Sequence, residues 1–211
     1  MTAIAVIDFE TTGMCAGEDR IIEVAAAIVE DGAVVATFAE LMNPGFRIPA
    51  FITGLTGISN AMVRSAPPPE AVMPRLRAFL GDRPCLAHNA AFDQRFFTAE
   101  MELAQETHAR PFLCSVLLAR RLVPDAPSHR LGALATHLDL TWPTGMQAHR
   151  ALADVLVTAA LWRHLLGVVT ARLGGRPPDL PLLSALMRQP KTKVASFLSA
   201  AALPRATTAC T

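Results

Sequence analysis

The stretch Ala3-Ile4-Ala5-Val6-Ile7-Asp8-Phe9-Glu10-Thr11-Thr12-Gly13 decides how the rest of the chain is read. Its apolar first half is short and rich in β-branched residues, which reads as a buried strand. Successive side chains of a strand point to opposite faces, so Asp8 and Glu10 share one face and Phe9 takes the other. Two carboxylates side by side at a strand end repel each other and lose hydration unless a positive group sits between them. A divalent cation with oxygen ligands meets that need. Two ordinary acids where a strand meets solvent are the plainer alternative.

Working outward, 211 residues suffice for one sizeable core or for a domain with an appendage. A hydrophobic content of 52% against 18% charged residues predicts a folded globular chain. Asp8 and Glu10 interrupt the apolar N-terminal segment, so no secretory leader is expected. The longest apolar stretch, residues 151–169, carries Asp154, Arg163 and His164, so it is not expected to span a membrane. Cys15, Cys85, Cys114 and Cys210 lack a paired metal-ligand spacing, and reduced thiols in a cytoplasmic protein are the expectation. Cys85 and His88 have a zinc-like separation but no second pair to complete a site.

The net charge of +1 points to no partner, but its distribution says more. Residues 167–211 hold Arg172, Arg176, Arg188, Lys191, Lys193 and Arg205 against Asp179, a balance of +5. Subtracting these from the totals of 19 basic and 18 acidic residues leaves 13 and 17 in residues 1–166, a balance of −4. A slightly acidic body with a basic tail suits a polyanion partner, and suits a plain solvated tail as well.

Along the chain, Gly13 to Asp19 reads as a loop, Arg20 to Val29 as a second strand and Asp31-Gly32 as a hairpin turn. Ala33 to Met42 is a third strand, ended by Asn43-Pro44-Gly45. Three strands joined by short turns predict an antiparallel meander, with Glu23 expected on its exposed face and a place near the acids as the alternative. Phe51 to Arg64 is apolar and interrupted by Gly54 and Gly57, and Ser59 is placed to cap a helix. Pro67-Pro68-Pro69 opens a helix to about Leu80, with a possible kink at Pro74. Pro84 to Ala87 is a short fourth strand leading into His88-Asn89-Ala90-Ala91-Phe92-Asp93. Phe92, Phe96 and Phe97 then recur at helical spacing, which puts Asp93 near the start of a helix packed through that stripe.

Phe112 to Ser115 reads as a fifth strand, followed by a helix through Val123 and a short helix from Arg130 to Leu138. After a loop at Trp142-Pro143-Thr144-Gly145, His149-Arg150-Ala151-Leu152-Ala153-Asp154 opens a long helix reaching about Val169. Strands first, then strands and helices interleaved, predict an α/β domain with a mixed five-stranded sheet flanked by helices. Gly174-Gly175-Arg176-Pro177-Pro178 reads as a linker, dividing the chain into a domain at 1–170 and a basic, partly helical extension at 171–211. Short helices are expected near 180–189 and 192–203, the second with an apolar face of Val194, Phe197, Leu198 and Ala202. That extension has three readings: a grip on a nucleic-acid backbone, a dock for a polymerase or a second copy, or packing against its own domain.

Asp8, Glu10, Asp93 and Asp154 thus stand at or near element ends. His149 and Asp154 are five residues apart, about 140° around a helix, so His149 is expected in the preceding loop or first turn, free to lean over the acids. Four acids and a His suit phosphodiester hydrolysis by two metal ions about 3.5–4 Å apart, with the His taking the proton of the attacking water.

Asp8-x-Glu10-Thr11-Thr12-Gly13, His88-Asn89-Ala90-Ala91-Phe92-Asp93 and His149-x4-Asp154 resemble the three motifs of the DnaQ-like 3′–5′ exonucleases, in the branch with a catalytic His. The likeness covers residues 1–166 and is closest to DNA-acting members at 114–121 and 149–161. It implies a ribonuclease H-like fold and stepwise release of nucleoside 5′-monophosphates from 3′ ends. Motif by motif, Asp8, Glu10 and Asp154 would hold one Mg²⁺ or Mn²⁺. Asp8 would bridge to a second ion with help from Asp93, and His149 would be the general base. Thr11 and Met14 match positions lining the 3′-terminal nucleotide, and His88 and Asn89 would help place the terminal phosphate. Thr56-Gly57-Ile58 stands where many members have His-Gly-Ile, so Thr56 is the substrate-facing position that departs from the family. The resemblance implies DNA, single strands or 3′ ends, as substrate. RNA and an inactive nucleic-acid-binding scaffold remain the alternatives.

Overall fold

The structure, a computed structural model, describes residues 3–145 and 149–203. Strands β1 (Ile4–Thr11), β2 (Ile21–Glu30) and β3 (Ala33–Leu41) form the antiparallel meander. Asp31 and Gly32 both have positive φ, 49° and 80°, as a two-residue turn with the twist of its strands requires. Strands β4 (Cys85–Ala87) and β5 (Phe112–Cys114) add in parallel, giving a mixed sheet in the order β3-β2-β1-β4-β5.

Phe51 to Arg64 divides into α1 (Ala50–Thr56) and α2 (Asn60–Val63). Gly57, at φ 73°, ends the first, and the Ser59 hydroxyl accepts from the Met62 N–H to cap the second. On one face of the sheet lie α3 (Pro69–Leu80), which continues through Pro74, and α4 (Ala90–Leu103). The other face carries α5 (Ser115–Leu122), α6 (Leu131–His137) and α7 (Ala151–Arg172).

Alternation along β1 divides the core in two. Ala5, Ile7 and Phe9 pack with Met73, Leu76, Phe96 and Phe97 of α3 and α4, so the Phe96/Phe97 stripe is core. Ile4 and Val6 pack with Val155, Ala159 and Trp162 of α7. The same alternation carries Asp8 and Glu10 out of the sheet's end on the α7 side. On β2, Ala25, Ala27 and Val29 belong to that face. Their small side chains let α7 lie close, and Glu23 is next in the row.

Helix α7 is the one described helix long and apolar enough to cross a bilayer. Ala151, Val155, Trp162, Leu165 and Val169 are instead buried in the domain core. Beyond it, α8 (Leu180–Arg188) and α9 (Val194–Ala202) place Leu183, Leu186, Val194 and Leu198 in that same core. The Arg121 Nε donates to the Gln189 carbonyl at 2.9 Å, and the Cys114 N–H to the Met187 sulfur at 3.1 Å. The basic side chains Arg172, Arg188, Lys191 and Lys193 remain exposed. Arg205 and Cys210 lie outside the described residues.

Candidate active site

Three carboxylates converge. Oxygens of Asp8, Glu10 and Asp154 lie within 4.8 Å of one another. Asp8 and Glu10 arrive on β1, and Asp154 on the first turn of α7, which packs over the same face. Asp93 comes from the opposite layer at the start of α4 and is 3% exposed. It stands outside the close triple, and its carboxylate accepts from the backbone N–H of Phe9. His149 is exposed, two residues before α7, with a left-handed φ of 61°, and its backbone N–H donates to the Asp154 carboxylate.

Every one of these acids is held above the ordinary carboxylate range. Burial raises Asp8, and the charges of Asp93, Glu10, Asp154 and Glu23 add to it. Glu10 is pushed up to about 8 by burial and by Asp154, Glu23 and Asp93, with Arg150 opposing. Burial lifts Asp93 to about 7 against the hydrogen bonds from its own and Phe9's N–H groups. Asp154 is raised by burial, with His149 opposing. A set of oxygen donors this close and this uncompensated fits a hard divalent cation, whose ligands sit at about 2.0–2.6 Å.

Asp8 and Asp154 open onto a cleft of about 560 Å³, walled also by His88, Arg130, Trp142 and His149. Burial lowers His88 to about 4, so its ring is neutral at pH 7. The His129 carbonyl can only accept, so the ring proton is on Nε2, 3.0 Å away, and Nδ1 accepts from the Ser115 hydroxyl at 2.9 Å. Both ring nitrogens are therefore engaged within the protein. Asn89 is exposed and holds the left-handed turn into α4, at φ 75°.

The loop after β1 is stapled by Asp19, whose carboxylate accepts from the Thr12 hydroxyl at 3.1 Å and the Cys15 N–H at 2.9 Å. A Cβ on Gly13 would fall 2.4 Å from that carboxylate, so the close approach needs glycine. The staple leaves Met14 70% exposed at the loop's tip. Thr11 is buried, its hydroxyl donating to the Gly13 carbonyl at 2.6 Å. Thr56 does not line the cleft. Its hydroxyl donates to the Ile52 carbonyl at 3.0 Å and accepts from the Ile58 N–H at 3.1 Å.

Two residues beside the acids were not among the site candidates. Glu23, read as an exposed strand residue, is 6% exposed and directly opposite Glu10 in the β1–β2 register. Arg150 spends its guanidinium on Glu23. The signal for Glu23 was the period-2 row Val29, Ala27, Ala25, Glu23, which shares the face of Asp8 and Glu10. Arg130 and Trp142 in the cleft wall carried no motif that would have singled them out.

A mixed sheet ending in clustered carboxylates, with a His over an open cleft, defines a nuclease domain of the ribonuclease H-like fold. Comparison with known proteins agrees. The exonuclease family profile matches residues 5–162. A DNA polymerase III of PolC type from Clostridium perfringens is 36% identical over 156 residues, 74% of this chain and 11% of that protein. A DNA polymerase III subunit epsilon-like protein from Rhodobacter capsulatus is 38% identical over 170 residues, 79% of this chain and 24% of that one. The structure of exonuclease X in complex with 5′ overhanging duplex DNA superposes with a TM-score of 0.65 at 31% identity, covering 78% of this chain and 91% of that one. Exonuclease I of E. coli with a dT13 oligonucleotide shares the fold, at a TM-score of 0.70 and 19% identity over 82% of this chain and 43% of that one. The chain belongs to the DnaQ-like exonuclease family. It spans only 11% and 24% of the two polymerase III relatives.

Proposed function

We propose that the chain hydrolyses DNA from the 3′ end, releasing nucleoside 5′-monophosphates by a two-metal mechanism with His149 as general base. The observation that carries this is the triple of Asp8, Glu10 and Asp154 oxygens within 4.8 Å, beside buried Asp93 and exposed His149. In this reading Asp8, Glu10 and Asp154 would hold one Mg²⁺ or Mn²⁺, and Asp93 would help Asp8 to hold a second. Two such ions supply an activated water and neutralise charge on the scissile phosphate. The exposed imidazole of His149 takes the water's proton. Asp154 keeps that residue near through the His149 backbone N–H. Thr11 and Met14 border the terminal nucleotide, with Met14 free to pack on a base or sugar. His88, neutral and doubly bonded, shapes the cleft wall beside Asp8 rather than donating to phosphate, and Asn89 is left for that contact.

DNA is favoured over RNA because the solved relatives named above are described with DNA. The apolar sides of α8 and α9 are used inside the domain, so a polymerase or second copy would meet their outer side, where Arg188 and the Lys191 and Lys193 of the intervening turn are exposed. We assign the protein to the cytoplasm on its free thiols Cys15, Cys85 and Cys114.

The test is hydrolysis of DNA and RNA single strands, labelled in turn at each end, with Mg²⁺, Mn²⁺ or EDTA. Metal-dependent mononucleotide release from DNA 3′ ends, lost in Asp8→Ala and His149→Ala, is the expected result. Release from RNA alone would reassign the substrate. Binding of either strand with no turnover under any metal would leave a scaffold in place of an enzyme.

A further inference from the structure

The reading above ties His149 to Asp154 through its backbone N–H alone, and that contact leaves the chain on the helix side of His149 to be fixed by something else. Asp154 belongs to α7, whose Ala151, Ala153 and Val155 are buried, so its place is set by the core. His149 precedes the helix, is exposed, and has a left-handed φ that a non-glycine residue holds only at a cost. Something must fix that conformation. The neighbouring residue is Arg150, whose Nη2 donates to Glu23 Oε1 at 2.6 Å and whose Nε donates to both Glu23 oxygens at 3.1–3.2 Å. Glu23 Oε2 also accepts from the Ala151 N–H at 3.0 Å, the first residue of α7. One buried carboxylate on β2 thus grips both the side chain and the backbone immediately after His149. A fork-to-carboxylate bond of this kind fixes orientation as well as distance.

We infer that Glu23 and Arg150 form a latch that sets the position of His149 over the carboxylate cluster, and are positioning residues for the exonuclease reaction. The inference rests on the function proposed above. It also explains a placement that stability alone does not demand: Glu23 sits opposite Glu10, among four other acids, where its charge raises Asp8 and Glu10. A neutral residue there would spare that repulsion. A charge is needed only to hold Arg150.

The experiment compares Arg150→Ala, Arg150→Lys and Glu23→Gln in the wild-type and His149→Ala backgrounds, on single-stranded DNA with Mg²⁺. Arg150 is 38% exposed at its side chain, so the alanine variant removes a surface arm, and circular dichroism melts report folding. Misplacing a catalytic group by about 1 Å costs on the order of 100-fold, so kcat is expected to fall about 10- to 100-fold with KM unchanged. Arg150→Lys should recover part of the loss. In the His149→Ala background the two Arg150 substitutions should have no further effect, because they act through His149, whereas Glu23→Gln also relieves the charge on Asp8 and Glu10.

Independently of turnover, hydrogen exchange at the His149 and Ala151 amides should accelerate in Arg150→Ala and Glu23→Gln. A raised KM at unchanged kcat would make Arg150 a phosphate contact and overturn the latch. So would an equal loss in both backgrounds, or unchanged exchange at those amides. If wild type releases no nucleotide while the amides still respond, the latch stands and the proposed activity fails.

Discussion

Asp8 illustrates what the site costs the protein before any ion arrives. It is pressed by burial and by four neighbouring carboxylates, and none of that pressure serves folding. Asp8→Asn should therefore abolish hydrolysis while raising the melting temperature of the metal-free protein. Relief of about 1–2 kcal/mol corresponds to roughly 3–6 °C for a chain of this size. A fall in the melting temperature measured in EDTA would contradict this account of the cluster. His149 differs, because it is exposed and bears no packing load. His149→Ala should lower kcat by about 100- to 10,000-fold, the usual range for a general base, with a melting temperature within about 1 °C of wild type. Steady-state kinetics beside a thermal melt checks both halves of that expectation.

At the scale of elements, the strands and helices were legible because each carried its own local signal. β1 declared itself by a β-branched run, the β2–β3 turn by Asp31-Gly32, and α2 by Ser59. The motif acids were legible for a related reason, since each stands within a few residues of a recognisable element end. Glu23 was not, because its burial depends on a strand register and on Arg150, 127 residues away. Thr56, the substrate-facing position that the resemblance implies, uses its hydroxyl to close the end of α1, a role its position in the motif does not signal. The extension was ambiguous because an apolar helical face does not say what it meets. In the structure Leu186 of α8 is fully buried in the α7-side core. Leu186→Ala should cost about 2–5 kcal/mol, as a core truncation does, and lower the melting temperature by several degrees. A change of under about 1 °C in a calorimetric scan would mean that α8 is an appendage. The outer side of the same segment carries Lys191 and Lys193. If it tracks a phosphate backbone, replacing both with Gln should reduce the slope of log affinity against log salt by about 1–2, given roughly 0.7 per contact to a single strand. An unchanged slope in a fluorescence titration would leave these lysines as solvated charges.

For the whole molecule, the acids make stability and metal binding two sides of one equilibrium. Glu10 and Asp93 have folded pKa values of about 8 and 7, above the ordinary carboxylate value they take when unfolded. The folded state therefore keeps protons that the unfolded state has lost. Stability from these groups is fully present below pH 4 and drains away as pH rises through 7 and 8. His88 works in the opposite sense, its folded value of about 4 lying below the ordinary 6.5, so its contribution is lost only as pH falls below 6.5. Between pH 6.5 and 8 the acids act alone. The metal-free protein should lose about 2 kcal/mol across that window. Bound divalent cations replace those protons, so the stabilisation by Mg²⁺ or Mn²⁺ should grow with pH over the same range. Thermal melts at pH 6.5 and 8, in EDTA and in excess Mn²⁺, measure it directly. A melting temperature that falls with pH in EDTA and stays level in Mn²⁺ is the expected pattern. An equal fall in both would mean that the ion binds somewhere other than among Asp8, Glu10, Asp93 and Asp154.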